Sequence, residues 1–174
     1  MGIKSNSLLA SYHDFFSRSG KDAVVAAPSS VTSLQASGGN IANGVQPGNG
    51  WTYHVFTSPG TFTVSAGSGP VQYVVIGGGG GGGNEDAGGG GGAGALVTGS
   101  TTVNSPQAIT IGLGGAGSDQ PSPAPNGRGD NGGNTVFGTI ITANGGGGGG
   151  SGNYNQSNKS GSANGNASGG GGGW

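Results

Sequence analysis

The sequence predicts an all-β protein: a small antiparallel β-sandwich that continues into a bundle of polyglycine II helices, preceded by a short N-terminal α-helix. Three observations point there. Glycine supplies 47 of 174 residues and only 30% are hydrophobic, so an ordinary core of Leu, Ile, Val and Phe is hard to assemble. Much of that glycine lies in unbroken runs: Gly77 to Gly83, Gly88 to Gly92, Gly145 to Gly150 and Gly169 to Gly173. The first run follows the β-type stretch Val71-Gln-Tyr-Val-Val-Ile76 directly, and the third follows Thr135 to Ala143 with only Asn144 between.

Fixing glycine costs more backbone entropy than fixing any other residue, and glycine has no side chain to bury in return. Such runs are either flexible linkers or ordered in a conformation that glycine alone permits. Their direct attachment to strand-like segments favours order. The ordered form is the left-handed polyproline II geometry, with three residues per turn and about 3.1 Å rise, so the first run would span roughly 22 Å. That helix has no internal hydrogen bonds, and its amides must pair with neighbouring helices. Collagen is excluded, because its glycine recurs every third residue with proline between.

The chain divides into residues 1–25, a docking segment; 26–50, a flexible linker; and 51–174, the glycine-rich body. Residues 5–20 predict one helix, capped by Ser5 or Ser7 and ended by Gly20. Leu8, Leu9, Tyr12, Phe15 and Phe16 recur at three- and four-residue spacing and form its apolar face. That face either packs on its own domain or docks into a partner, and the long Ser/Gly/Asn/Pro-rich stretch 26–50 favours docking. Trp51 to Thr57 alternates, with Trp51, Tyr53 and Val55 on one side. Thr61 to Ser65 alternates again, and Pro59-Gly60 between them suits a type II turn. Further strands are expected at 71–76, 95–98, 107–111 and 135–142. Polar insertions at 84–87, 118–134 and 152–168 read as loops at the ends of the glycine helices.

The inventory argues against catalysis. His13 and His54 have no Cys, Glu or second His at ligand spacing, and Glu85 and Asp86 would point to opposite sides of an extended segment. No catalytic, cofactor-binding or metal-ligating residue is expected, and no cofactor. The glycine runs lack the strand–loop–helix context and the lysine of a phosphate-binding loop. Five basic and six acidic residues give a net charge of −1, which disfavours nucleic acid. No stretch of 18 apolar residues is present, so no membrane span is expected. Cysteine is absent, which removes disulfides and thiolate metal sites. Arg128-Gly-Asp130 matches an integrin-binding tripeptide, a short motif that arises readily by chance in such a segment.

The stretch Pro47 to Ser65, followed by Val71-Gln-Tyr-Val-Val-Ile-Gly77 and the first glycine run, resembles the glycine-rich domain of phage tail-fibre proteins, especially those of cyanophages. Ile109-Thr-Ile-Gly-Leu-Gly-Gly-Ala-Gly117 and Gly132-Gly-Asn-Thr-Val-Phe-Gly138 are similar to the same family. The resemblance covers roughly residues 44–174. It implies a non-enzymatic virion protein on the outside of the particle, a homo-oligomer with a trimer favoured. Its partners would be other virion proteins, reached through the N-terminal segment, and a host surface receptor.

The chain is also similar to polyglycine-sandwich phage adhesins, in which loops between the helices touch the receptor. By position, the contact residues would be Asn84, Glu85, Asp86, Asn126, Arg128, Asp130, Asn131, Asn153, Tyr154, Asn155 and Lys159. Two alternatives remain: a capsid decoration or spike protein anchored by its N-terminus, and an ice-binding polyglycine bundle.

Overall fold

Strand and glycine alternate along this chain, and each strand passes its pairing register to the glycine beside it. The structure is a computed structural model, and it describes residues 33–84, 88–119, 127–152 and 167–172. These fall in the compact unit Thr32–Trp174. Among the described residues the regular structure is all β, with no helix. The N-terminal helix expected at 5–20, with Leu8, Leu9, Tyr12, Phe15 and Phe16, lies outside the described residues.

The strands are β1 (Gln35–Ser37), β2 (Gly60–Ala66), β3 (Gly69–Ile76), β4 (Leu96–Val103), β5 (Gln107–Thr110), β6 (Thr135–Phe137) and β7 (Ile141–Ala143). One antiparallel sheet runs in the order β1-β2-β5-β6-β7, and β3 and β4 form a separate antiparallel ribbon. The two pack as in a sandwich. Val75 and Val103 of the ribbon are buried with Phe62 and Phe137 of the sheet, joined by Ala95 and Ala143. Each fully buried Val or Phe contributes about 1.5–3 kcal/mol, so this thin core is worth only a few such increments. Its centre is aromatic. The Tyr73 and Phe137 rings meet edge to face with centroids 5.9 Å apart, and Phe137 meets Phe62 at 6.2 Å. Tyr73 can reach across because its cross-strand partner is Gly99, where a Cβ would come within 2.7 Å of the Tyr73 ring carbon Cζ.

Strands lie near the expected places at 61–65, 71–76, 95–98 and 107–111, with four differences. Thr135 to Thr142 is a hairpin instead of one strand, because Gly138 takes a φ of 51° and turns the chain, closed by Ile140 N–H donating to the Phe137 carbonyl. Trp51 to Thr57 is not a strand. It is held to residues 38–45 by a single bridge, Val45 to Tyr53, and by Asn40 N–H donating to the Val55 carbonyl. Gly60 has no positive φ, so Pro59-Gly60 does not make the type II turn; Gly60 instead opens β2 opposite Ile109. The sheet also starts earlier than Trp51, since β1 falls within the 26–50 stretch and pairs with β2.

Six glycine-rich segments extend from the strands: g1 (77–84), g2 (88–95), g3 (111–118), g4 (127–134), g5 (144–152) and g6 (167–172). They carry no strand assignment, yet their backbones bond sideways at a three-residue repeat. The N–H groups of Gly77, Gly80 and Gly83 donate to the carbonyls of Ala95, Gly92 and Gly89 on g2. This continues the register of Ile76 opposite Leu96 in the ribbon. The N–H groups of Gly78, Gly81 and Asn84 turn to g4, donating to Gly133, Asp130 and Gly127. The g3–g4 and g4–g5 bonds likewise prolong the β5–β6 and β6–β7 registers.

The bonded pairs define two rows. In one row g1 lies between g3 and g2; in the other, g5 lies between g4 and g6. The rows are offset, so that g1 bonds both g4 and g5, and g2 bonds both g5 and g6. Segment g5 is the centre. Gly146 and Gly149 donate to Gly78 and Gly81 of g1, and Gly147 and Gly150 donate to Ser168 and Gly171 of g6. Gly145 and Gly148 donate to the side-chain Oδ1 atoms of Asn134 and Asn131, each at 2.9 Å. Every N–H from Gly145 to Gly150 is thus bonded, and residues 145–152 are all buried. Backbone pairing replaces the missing apolar core, because a buried amide left unpaired would cost about 1–3 kcal/mol.

Candidate functional site

The bonds between segments step away from the strands, so the ends of g1, g3, g4 and g5 gather at one end of the glycine segments. Asn84 is the junction. Its N–H donates to the Gly127 carbonyl at 2.7 Å, and its own carbonyl accepts from Gly152 N–H at 3.2 Å. On the neighbouring segment Ser118 N–H donates to Gly82. The segments joined here are rigid in the physical sense that their amides are cross-paired, so this end is a platform held at a fixed distance from the sheet.

Charge gathers on the same end. Among the described residues the charged side chains are Asp119, Arg128 and Asp130, all on or beside the outer ends of g3 and g4. Asp119 and Asp130 are exposed and Arg128 is half-buried. The Arg128 Nε and the Ser118 Oγ are each buried without a hydrogen-bond partner. Segments g3 and g4 run antiparallel, bonded through Ala116 and Asp130, so Ser118 and Arg128 lie on neighbouring segments at a similar height. Both of these atoms are enclosed, so the polar groups that this end offers to solvent are the exposed Asp119 and Asp130.

The expected contact residues separate into distinct roles. Arg128 and Asp130 lie on g4 near its outer end, on a bonded segment and not in a loop. Asn131 has a structural task, since its Oδ1 accepts from Gly148 N–H. Asn84 is the last bonded residue of g1 instead of a loop residue. Residues 127–134, read from sequence as part of a loop, form segment g4. Glu85, Asp86, Asn126, Asn153, Tyr154, Asn155 and Lys159 lie outside the described residues. Sequence reasoning did not single out Ser118 and Asp119. The available signal was their position at the end of Ile111-Gly-Leu-Gly-Gly-Ala-Gly117, where small residues stop.

Among the described residues no three His, Cys, Asp or Glu side chains cluster as a metal site would require. His54 is built into the fold: its Nδ1 lies 2.8 Å from the Gly38 carbonyl, to which it donates, and its ring meets Phe62 edge to face at 5.3 Å. Among the described residues no helix is long and apolar enough to cross a membrane.

No curated protein and no solved structure matches this chain. A family match does exist, and it covers the ribbon, the glycine segments and every strand of the sheet except β1. Residues 57–174 fit the glycine-rich domain family, and the chain belongs to that family.

Proposed function

We propose that this protein is a non-enzymatic structural component of a phage virion, a tail-fibre or fibre-tip protein whose glycine-rich body projects outward and meets the host. In this reading the glycine segments are polyglycine II helices. The three-residue repeat of their sideways bonds supports that assignment, since three residues make one turn of that helix. The N-terminal segment, through Leu8, Leu9, Tyr12, Phe15 and Phe16, attaches the body to other virion proteins. The assembled form is a homo-oligomer, a trimer by resemblance, exposed on the outside of the particle.

One observation carries the proposal. A body otherwise without charge among its described residues places Asp119, Arg128 and Asp130 together at the end farthest from its sheet. A rigid stalk with a polar, charged tip is what adhesion requires, because a preorganised tip spends little binding energy on ordering itself.

Immunogold labelling of intact particles with antibody against the full chain tests the assignment. Gold at fibre tips is the expected result. Gold over the shell would favour the decoration or spike alternative, and unlabelled particles would overturn the virion assignment. Thermal hysteresis by the purified chain would instead support ice binding.

A further inference from the structure

We propose that the outer face of the β3–β4 ribbon and of segment g1 binds a second copy of this chain, face to face. The inference rests on reading the glycine segments as polyglycine II helices. The inner side of the ribbon packs on the sheet through Tyr73 and Phe137, and the inner side of g1 bonds g4 and g5, which adjoin β6 and β7. The residues left outside therefore share one continuous face.

At its strand end that face is apolar. Val74, Ile76 and Leu96 are 65%, 57% and 65% exposed, and Ile76 and Leu96 are cross-strand partners. Large aliphatic side chains clustered in this way on a small body mark an interaction surface. At its glycine end the face is bare backbone. Gly79 and Gly82 are exposed and their N–H groups make no bond, and neither do the carbonyls of the half-buried Gly80 and Gly83. Around g1 the bonded directions alternate: N–H to g2, carbonyl to g5, N–H to g4, carbonyl to g3. Continuing that alternation places the spare donors and spare acceptors on the outer side. Unpaired donors and acceptors in a regular row are a template for another backbone, as at an open sheet edge.

The structure itself indicates the occupant. The opposite side of g1 is covered by a row of glycine segments bonded through the same groups, so the chemistry that fits this row is another such row. The face also carries no charge, since residues 51–84 and 88–118 contain no Asp, Glu, Lys or Arg outside 85–87. A charged partner finds nothing to pair with, whereas a second copy offers the same uncharged face. A surface that presents both donors and acceptors can match itself across a two-fold axis, which gives a dimer in place of the trimer that the resemblance favours.

Sedimentation equilibrium of the full chain over a wide concentration range tests this, with amide hydrogen exchange measured in parallel. The expected mass rises from 16.3 kDa to twice that value with concentration. Leu96→Lys and Gly82→Lys should each raise the dissociation constant at least tenfold without lowering the melting temperature measured at dilutions where the wild type is monomeric. Both sites have room in the monomer: Leu96 is exposed, and a Cβ at Gly82 meets nothing nearer than 3.9 Å. A wild-type chain that stays monomeric, or an oligomer untouched by both substitutions, overturns the inference. If the wild type is monomeric while its glycine amides exchange slowly, only the face is wrong. Fast exchange throughout would remove the polyglycine helices and the inference with them.

Discussion

Segments g4 and g5 lie side by side and bond to each other, yet their sequences differ sharply. From 145 to 150 segment g5 is glycine without exception, whereas g4 carries Arg128, Asp130, Asn131 and Asn134. The cause is the number of neighbours. Segment g5 sits between g4 and g6 in its row and against g1 and g2 of the other, so added side chains meet backbone. A Cβ at Gly145, Gly146, Gly148 or Gly149 would overlap a carbonyl of g4 or g2. Segment g4 ends its row and needs glycine only where it faces inward. Gly129 and Gly132 face g1, where a Cβ would overlap the carbonyls of Gly81 and Gly78. Positions 128, 130, 131 and 134 hold side chains, and two of these, Asn131 and Asn134, return bonds to g5. The most enclosed segment, g5, is thus unbroken glycine, whereas an edge segment such as g4 tolerates interruption.

The most direct way to break that contrast is to place one methyl group at the centre. Gly146→Ala would drive its Cβ into the Gly92 carbonyl, and neither backbone can move without losing bonds on other sides. The expected loss is on the order of 4 kcal/mol, at the severe end for one substitution. Thermal and urea unfolding measure it. A melting temperature equal to wild type would mean that g5 is not packed as described.

A smaller effect sharpens the role of the edge. Asn131→Ala removes the acceptor of the Gly148 N–H, a part-buried bond, and should cost about 1–3 kcal/mol. Asn131→Asp keeps an oxygen in the same place and should recover most of that loss. If both variants melt alike, the side-chain oxygen does not hold g5.

The contrast also explains what was legible in the sequence. The runs 77–83 and 145–150 stood out as unbroken glycine, which packing requires at most positions although not at the outward Gly79 and Gly82, and their attachment to strand-like segments showed where they begin. Segments g3 and g4 were hidden by the same rule, since Leu113, Ala116, Arg128 and Asp130 occupy edge positions that tolerate side chains. Residues 127–134 therefore read as a loop. The hairpin at Gly138 was missed because its apolar flanks resemble one strand, and only the positive φ of one glycine divides them. Within the candidate site, Arg128 and Asp130 were legible as charges in a neutral chain. The bonding task of Asn131 was not, because it depends on which segment lies beside it.

The finest test turns on a glycine that the packing does not require. Gly90 lies in the run 88–92, and by sequence alone it looks as essential as Gly146. Segment g2 ends its row, however, and a Cβ at Gly90 would meet nothing within 4 Å. Its φ lies outside the left-handed region, so an L-residue fits without strain. Alanine there would mainly reduce the freedom of the unfolded chain, which is worth about 0.4–1 kcal/mol of added stability. Gly90→Ala should therefore raise the melting temperature slightly, while the same substitution at Gly146 lowers it severely. Destabilisation at both positions would mean that glycine is needed for its conformation everywhere in the runs, and that the count of neighbours does not decide where it is needed.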